Sequence, residues 1–438
     1  MKLILGDCIE KMAELPMESV DCVVTDPPYG INFLGKAWDG KAIAEAAAKP
    51  VNLGGSRRLT GSPDSPNRKM IERTGSGFAT LAGEAGAYDF SLKGNRAFQK
   101  WCDQWGTQAL YSLKPGGHMV VFGGPRTYHR MAAGLEDAGL DVRDCLMWLY
   151  GQGFPKSHNL PGGLGTALKP AWEPIILARK PLRGTVEDTV TSYGTGALNI
   201  DETRVGQSKN VPASPSNTHS NVYGKFGTGE GRLATGFDPD VGRWPANLLL
   251  THHPDCVHTG HAVAPGRQMN RYVDGPKPFG GGKGHESTQE TMPDELVETW
   301  ECAPGCPVGG IGEESRFFYC PKVTGAEKHA GVPGGNYHPT VKPVELMRWL
   351  VRLVCPPDGT VLDCFMGSGT TAVASVLENR KFIGIEQDKS YMSVAKQRIA
   401  YWQLHGEEGW RLAREEASSE AVREKIKTSG QMDLWEIL

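Results

Sequence analysis

Apolar and polar positions follow two rhythms along the chain, a period near two and a period near 3.6, and both concentrate toward its two ends. Near the start, "KLILGD" reads as a short apolar strand followed by the helical "CIEKMAEL", and "SVDCVVTD" is an apolar, β-branched run suited to a strand buried on both faces. A helix is predicted from about Asn95 to Leu113, then strands in "LKPGGHMVVFGG", "DVRDCLMWLYG" and "AWEPIILARK". Toward the other end Pro343 suits a first helical turn, and Val344, Met347, Val351 and Val354 then repeat as one buried stripe. "TVLDCF" reads as a strand, "GSGTT" as a turn opening a helix, "RKFIGIEQD" as a strand ending in acids, and "SYMSVAKQRIAYW" as a closing helix. Strands alternating with helices predict an α/β fold, a mostly parallel sheet with helices on both faces.

Between these ends the rhythm fades. Residues 184–315 are rich in Gly, Pro, Ser, Thr and Asn with interspersed His and Cys, and residues 40–94 are similarly irregular. The expected organisation is a first catalytic part over 1–183, with a loop at about 40–94. An irregular lobe over 184–314, a second core part over 315–405 and a charged, helix-like tail over 406–438 follow. At 438 residues the chain can bury a large core. A net charge of -3 means that any nucleic-acid partner must be met by a local basic patch. No apolar run approaches the roughly 18–20 residues of a membrane span. "MKLILGDCIEKM" has too short an apolar core for a signal peptide, so the ten cysteines are expected to be reduced thiols in a cytoplasmic protein.

Two motifs carry chemistry. In "VLDCFMGSGTT" the glycines Gly367 and Gly369 let backbone approach a ligand, and the following helix N-terminus offers N–H groups to a carboxylate. Asp363 is placed to hold an ammonium group, and Glu386, about twenty residues on, to receive ribose hydroxyls. With only a short glycine pattern, an amino-acid nucleoside fits better than a dinucleotide. The second motif is "DPPYG", at the carboxyl end of an apolar strand, where ligands of parallel sheets bind. Asp26 and the Pro27 carbonyl, held rigid by Pro27 and Pro28, form paired acceptors for the two hydrogens of an exocyclic amine, and Tyr29 offers a face for stacking on a base. Such acceptors localise the amine lone pair on nitrogen, as attack on a methyl donor requires.

"TDPPYG" together with "DCFMGSGTT" resembles the amino-group DNA methyltransferases that use S-adenosylmethionine. The order, catalytic tetrapeptide before glycine loop with an irregular region between, resembles their β class. That resemblance implies a doubly wound, Rossmann-like methyltransferase sheet, circularly permuted, with an inserted lobe. It covers roughly residues 1–180 and 315–402, including "LILGDCIEKMAEL", "WEPIILARK", "RFFYCPKV" and "HPTVKPVELM". It implies that Asp26, Pro27, Pro28 and Tyr29 act on the target amine. It further implies that Asp7, Cys8, Thr340, Lys342, Asp363, Phe365, Gly367, Ser368, Gly369, Thr370, Thr371 and Glu386 line the cofactor site. Double-stranded DNA is the implied partner, with the base flipped out of the duplex. Arg57, Arg58, Arg68 and Lys69 are candidate phosphate contacts. The Asp form of the tetrapeptide leans toward adenine N6, a Ser form toward cytosine N4. The alternatives are a cytosine-N4 enzyme of the same fold, a DNA-binding protein without catalysis, and an RNA or protein-amide methyltransferase. A restriction-modification context, and a monomer or homodimer, are compatible with all of this.

The irregular lobe would then recognise the target sequence. "HHPDC" and "CAPGC" present two close pairs of nitrogen and sulfur ligands, the composition of a structural zinc site. His253, Cys256, Cys302 and Cys306 are the candidate ligands, with His252 the alternative to His253, and Cys320 is expected in the core. The terminal "QMDLW", Gln431–Trp435, resembles the short peptide by which bacterial DNA-handling proteins bind the sliding clamp, set against the plainer reading of a fraying tail.

Overall fold

The computed structural model describes residues 1–30, 43, 92–150, 159–166, 168, 170–205, 244–252, 256–264, 268–272, 287–291, 295–303, 306, 318–319 and 323–418. Arg57, Arg58, Arg68, Lys69, His253, Cys320 and Gln431–Trp435 lie outside the described residues. The chain divides into two units. Unit 1 comprises Met1–Met147, Trp172–Asn199 and Val323–Leu438, and unit 2 comprises Trp148–Ala171 and Ile200–Lys322.

Elements are numbered in chain order. Unit 1 begins with β1 (Lys2–Leu5), α1 (Cys8–Ala13), β2 (Val20–Thr25), α2 (Leu92–Ser112), β3 (Leu113–Phe122), α3 (Tyr128–Asp137) and β4 (Asp141–Tyr150, entering unit 2 at its end). It resumes with β7 (Trp172–Arg179) and α4 (Val186–Tyr193), and closes with α5 (Gly325–His329), α6 (Val344–Val354), β14 (Thr360–Asp363), α7 (Thr370–Leu377), β15 (Lys381–Glu386), α8 (Lys389–His405) and α9 (Gly409–Ser418). The sheet order is β1–β15–β14–β2–β3–β7–β4. Strands β1, β15, β14, β2 and β3 are mutually parallel, and β7 runs antiparallel to β3. The late strands β14 and β15 therefore slot between β1 and β2, the order expected of a permuted α/β sheet.

Strand pleat explains the two-sided core. Met119 and Val121 of β3, with Ile176 and Ala178 of β7, pack against Phe98, Trp101 and Trp105 of α2 and Met131 and Leu135 of α3. The alternate positions Val120, Phe122 and Ile175 are equally buried, and α6 packs on β2 and β3. The predicted α6 stripe is buried in full, joined by Leu346, Trp349, Leu350 and Leu353. Trp105 has no exposed surface, and emptying such a site costs roughly 3–5 kcal/mol. Gly30 closes the turn after β2 with φ +68, and a Cβ there would come within 2.5 Å of the Phe98 ring. Only glycine meets both demands.

Unit 2 holds β5 (Asn159–Leu160), β6 (Leu164–Gly165), β8 (Leu248–Thr251), β9 (Val257–Ala264), β10 (Gln268–Tyr272), β11 (Ser287–Thr291), β12 (Glu295–Glu301) and β13 (Phe318–Tyr319). Pairing is antiparallel for β5/β6, β9/β12 and β10/β11, and parallel for β8/β13. The region expected to be irregular thus carries the short strands β8 to β12, while β5 and β6 lie in the stretch expected in the first catalytic part and β13 in that expected in the second core part. Its β11, "STQET", lacks the apolar alternation by which strands are recognised.

Residues 184–199, expected in the irregular lobe, belong to unit 1. Helix α4 starts with a capping box between Thr185 and Asp188 and ends at Gly194 with φ 74. Asn199 then terminates α6. Its backbone N–H donates to the Leu353 carbonyl at 2.9 Å, and its Nδ2 donates to the carbonyls of Arg352 at 2.9 Å and Cys355 at 2.7 Å. These carbonyls lack partners within the helix. Asn199→Ala is therefore expected to destabilise unit 1 by about 1–2 kcal/mol, measured as a lowered midpoint in thermal or urea unfolding.

Candidate active site

The parallel register sets the carboxyl ends of neighbouring strands in a row. Leu5 faces Glu386, Asp363 faces Gly384, Leu362 faces Val23, and Thr25 faces Val121. Gly6–Asp7, Glu386, Asp363 and Asp26 consequently emerge along one edge of the sheet, the edge where such folds bind ligands.

Asp363 joins the two halves of this edge. It is fully buried, its Oδ1 accepts the Thr25 hydroxyl at 2.6 Å and the Phe365 N–H at 3.1 Å, and its Oδ2 accepts the Thr371 hydroxyl at 2.6 Å. Burial pushes its carboxyl up to about 6, with the two hydroxyls pulling the other way. Thr25 immediately precedes Asp26, so this acid ties the tetrapeptide to the glycine loop.

In that loop Gly367 (φ +53) and Gly369 (φ +83) are left-handed, and a Cβ on Gly367 would meet His338 Nε2 at 2.7 Å. Gly369 is the N-cap of α7 and offers no side-chain cap, leaving the first-turn N–H groups open to an anion. Glu386 accepts the Gly367 N–H at 2.7 Å and the Asp388 N–H at 2.8 Å. Ser368 and Thr370 are buried, and behind them lies the fully buried Arg398, whose Nη1 donates to the Ser368 carbonyl at 2.9 Å, to Ser368 Oγ at 3.2 Å and to Thr370 Oγ1 at 3.1 Å. Phe365 packs edge-on to Trp105, 5.4 Å between ring centres.

The other predicted cofactor neighbours have local roles as well. Asp7 is the N-cap of α1, accepting the N–H groups of Ile9 at 2.9 Å and Glu10 at 3.2 Å. Cys8 is buried, and burial with the nearby Cys364 raises its thiol well above the usual value. Thr340 N–H donates to His338 Nδ1 at 3.4 Å, and burial pulls the His338 imidazole down to about 3, so it is neutral.

The tetrapeptide carries a compact ionic cluster. Lys342 Nζ donates to Asp26 Oδ2 at 2.7 Å and lies 3.3 Å from both Glu173 Oε2 and the Tyr29 hydroxyl. That hydroxyl is 2.8 Å from Asp26 Oδ1 and 3.0 Å from Glu173 Oε2, and its single proton serves one of them at a time. The ammonium also sits 4.9 Å from the centre of the Phe122 ring. Burial would lower the Lys342 pKa, but Asp26 and Glu173 outweigh it and hold the side chain charged. Asp26 is raised above the usual carboxylate value, first by burial and then by Glu173, with Lys342 opposing. Both Asp26 oxygens are thus engaged. Glu173 is a second acceptor to which either Lys342 or Tyr29 can turn. Lys342, expected from sequence beside the cofactor, is paired with Asp26 of the tetrapeptide.

Glu173, Thr25 and Arg398 were not singled out from sequence. Glu173 had one signal, an acid opening the otherwise apolar strand of "WEPIILARK". Arg398 had none, since it falls on a helix full of ordinary polar residues.

A family model described as DNA methylase, of the N6/N4 methyltransferase type, matches residues 20–397. The chain belongs to this N6/N4 DNA methylase family. The type II methyltransferase M.HindIII of Haemophilus influenzae is 22% identical over 410 residues, covering 90% of this chain and 93% of that protein. The type II methyltransferase M.BglI of Bacillus subtilis is 45% identical over 62 residues, 14% of this chain and 18% of that one. Among solved structures, the PvuII DNA methyltransferase (cytosine-N4-specific) aligns with a TM-score of 0.41 at 14% identity, over 94% of this chain and 90% of that one. The M1.HpyAVI–SAM complex aligns with a TM-score of 0.35 at 16% identity, over 91% and 98%.

A carboxylate accepts hydrogen bonds through both oxygens only when it is ionised, so the charges around Asp26 decide what it can accept. The charged or titratable groups facing Asp26 are Lys342, Glu173, Tyr29 and, more distantly, Asp363. Removing the Glu173 charge removes a group that raises Asp26. In Glu173→Gln the acidic limb of the methylation pH–rate profile is expected to move to lower pH, and an unmoved limb would show that the two carboxylates are not coupled.

Proposed function

We propose that this DNA methylase transfers the methyl group of S-adenosylmethionine to the N6 amine of adenine within a short duplex sequence. The observation that carries the reading is the bond from Thr25 to Asp363. Through it a rigid Asp-Pro-Pro-Tyr segment stands beside a loop whose groups suit an amino-acid nucleoside. The fit is chemical. The open N-terminus of α7 answers a carboxylate, Asp363 an ammonium group, and Glu386, on the neighbouring strand, ribose hydroxyls. When bound, S-adenosylmethionine supplies an electrophilic methyl group on a positively charged sulfur.

The chain's own residues do the rest. Asp26 and the Pro27 carbonyl accept the two amine hydrogens and keep the lone pair on nitrogen. Tyr29 stacks on a base extruded from the duplex, since the amine is out of reach inside it. Asp26 takes the proton released when the amine is alkylated, and Lys342, turned toward Glu173, leaves room for the base. The aspartate form of the tetrapeptide supports adenine over cytosine. Unit 2 serves target recognition, and basic segments with Arg57, Arg58, Arg68 and Lys69 contact phosphates. The enzyme works on cytoplasmic DNA, and Gln431–Trp435 resembles a docking peptide for the sliding clamp. Among the described residues no helix is long and apolar enough to cross a membrane.

Asp26→Ala is expected to lower the methylation rate by roughly 10²–10⁴-fold while binding of S-adenosylmethionine, measured by calorimetry, changes little. Lys342 keeps Glu173 as a partner in that variant, so no ammonium is stranded. Full activity would remove Asp26 from the mechanism. Single-base modification sequencing of DNA from cells expressing the protein should show N6-methyladenine in one short motif, and N4-methylcytosine would reassign the base.

A further inference from the structure

We propose that His252, Cys256, Cys302 and Cys306 of unit 2 hold a structural zinc ion. One potential ligand atom from each lies within 4.8 Å of all the others. His252 Nδ1 is 3.6 Å from Cys302 Sγ and 3.8 Å from Cys306 Sγ. Tetrahedral zinc, with Zn–S near 2.3 Å and Zn–N near 2.0 Å, sets sulfur and nitrogen roughly 3.5 Å apart and two sulfurs roughly 3.8 Å apart. The cluster already has that scale. Three sulfurs and an imidazole select zinc over magnesium or calcium, and four protein ligands close the site against substrate, which makes the ion structural.

Two further observations point to the same ligand. The Ala303 N–H donates to Cys256 Sγ at 3.3 Å, the kind of backbone bond that supports a metal-bound thiolate. The four residues also sit where unit 2 needs fastening. His252 follows β8, Cys256 precedes β9 and Cys302 follows β12. Val257 and Glu301, beside Cys256 and Cys302, are paired in the antiparallel β9/β12 ladder. Among the described residues the apolar cluster here comprises Leu250 and Cys306 with Leu149, Leu248, Cys256 and Cys302 around them. A metal that joins the ends of short strands fastens them beyond what such contacts supply. The spacing "HHPDC" left two histidines open, and of these His252 lies among the described residues, beside the three thiols.

The test uses the full chain, purified without chelators and analysed for metal by plasma mass spectrometry. About one zinc ion per chain is expected. Cobalt taken up in its place should show thiolate-to-metal charge transfer and the visible bands of a tetrahedral site. Cys302→Ser and His252→Ala should lose stoichiometric zinc, while His252→Cys, which restores a fourth ligand, should keep it. Binding of S-adenosylmethionine, which depends on unit 1, should survive Cys302→Ser and so report that the variant is folded. Metal-free protein with full methylation activity, or undiminished zinc in Cys302→Ser, would overturn the proposal.

Discussion

The candidate site depends on one buried carboxylate. Asp363 accepts hydroxyls from Thr25 and from Thr371, residues on two other elements, and all three lie out of solvent. An alanine there would strand two buried hydroxyls and a backbone N–H, and such groups are costly to leave unpaired. Because Thr25 adjoins Asp26 and Thr371 lies in the first turn of α7, this single acceptor sets the separation between the tetrapeptide and the glycine loop. Arg398 braces the same loop from behind by holding Ser368 and Thr370.

Beside this tie, whose donors are hydroxyls and a backbone N–H, lies an ion-paired one with different physics. Asp26, Glu173 and Lys342 share a pocket with the Tyr29 hydroxyl, and two carboxylates compete for one ammonium. A buried ion pair adds little net stability after desolvation, whereas losing one partner leaves an isolated charge. The third member changes that account, since an ammonium released by Asp26 still has Glu173. The arrangement keeps the acid compensated at rest and open to exchange of partners.

Much of this was legible in the sequence because the signals are local. Strand and helix rhythm gave the α/β sheet, Asp26–Tyr29 is contiguous, and Asp363, Gly367, Gly369 and Glu386 fall at intervals fixed by a strand, a turn and a helix. What escaped depends on contacts between distant segments. Glu173 matters only because β7 lies two strands from β2, and Asn199 only because its chain returns to the end of α6. The strands of unit 2 escaped for another reason: "STQET" and "QMNRY" form ladders through backbone bonds that leave no apolar imprint. His252 and His253 could not be separated by spacing alone, since His-x3-Cys and His-x2-Cys both suit a metal-binding pair.

Permutation has a consequence for how this protein comes into being. The partner of Thr25 lies 338 residues downstream, and β2 pairs with β14 across a similar interval. At about 5–20 residues per second, synthesis of that interval takes roughly 20–70 seconds. Through that time the nascent chain carries β2, among its most apolar strands, with one edge unpaired and sticky. The sheet and the active site are completed together by the last strands to arrive. A truncated chain ending before residue 360 would therefore be an aggregation-prone fragment rather than a weakened enzyme, and chaperone contact during synthesis would centre on that open edge.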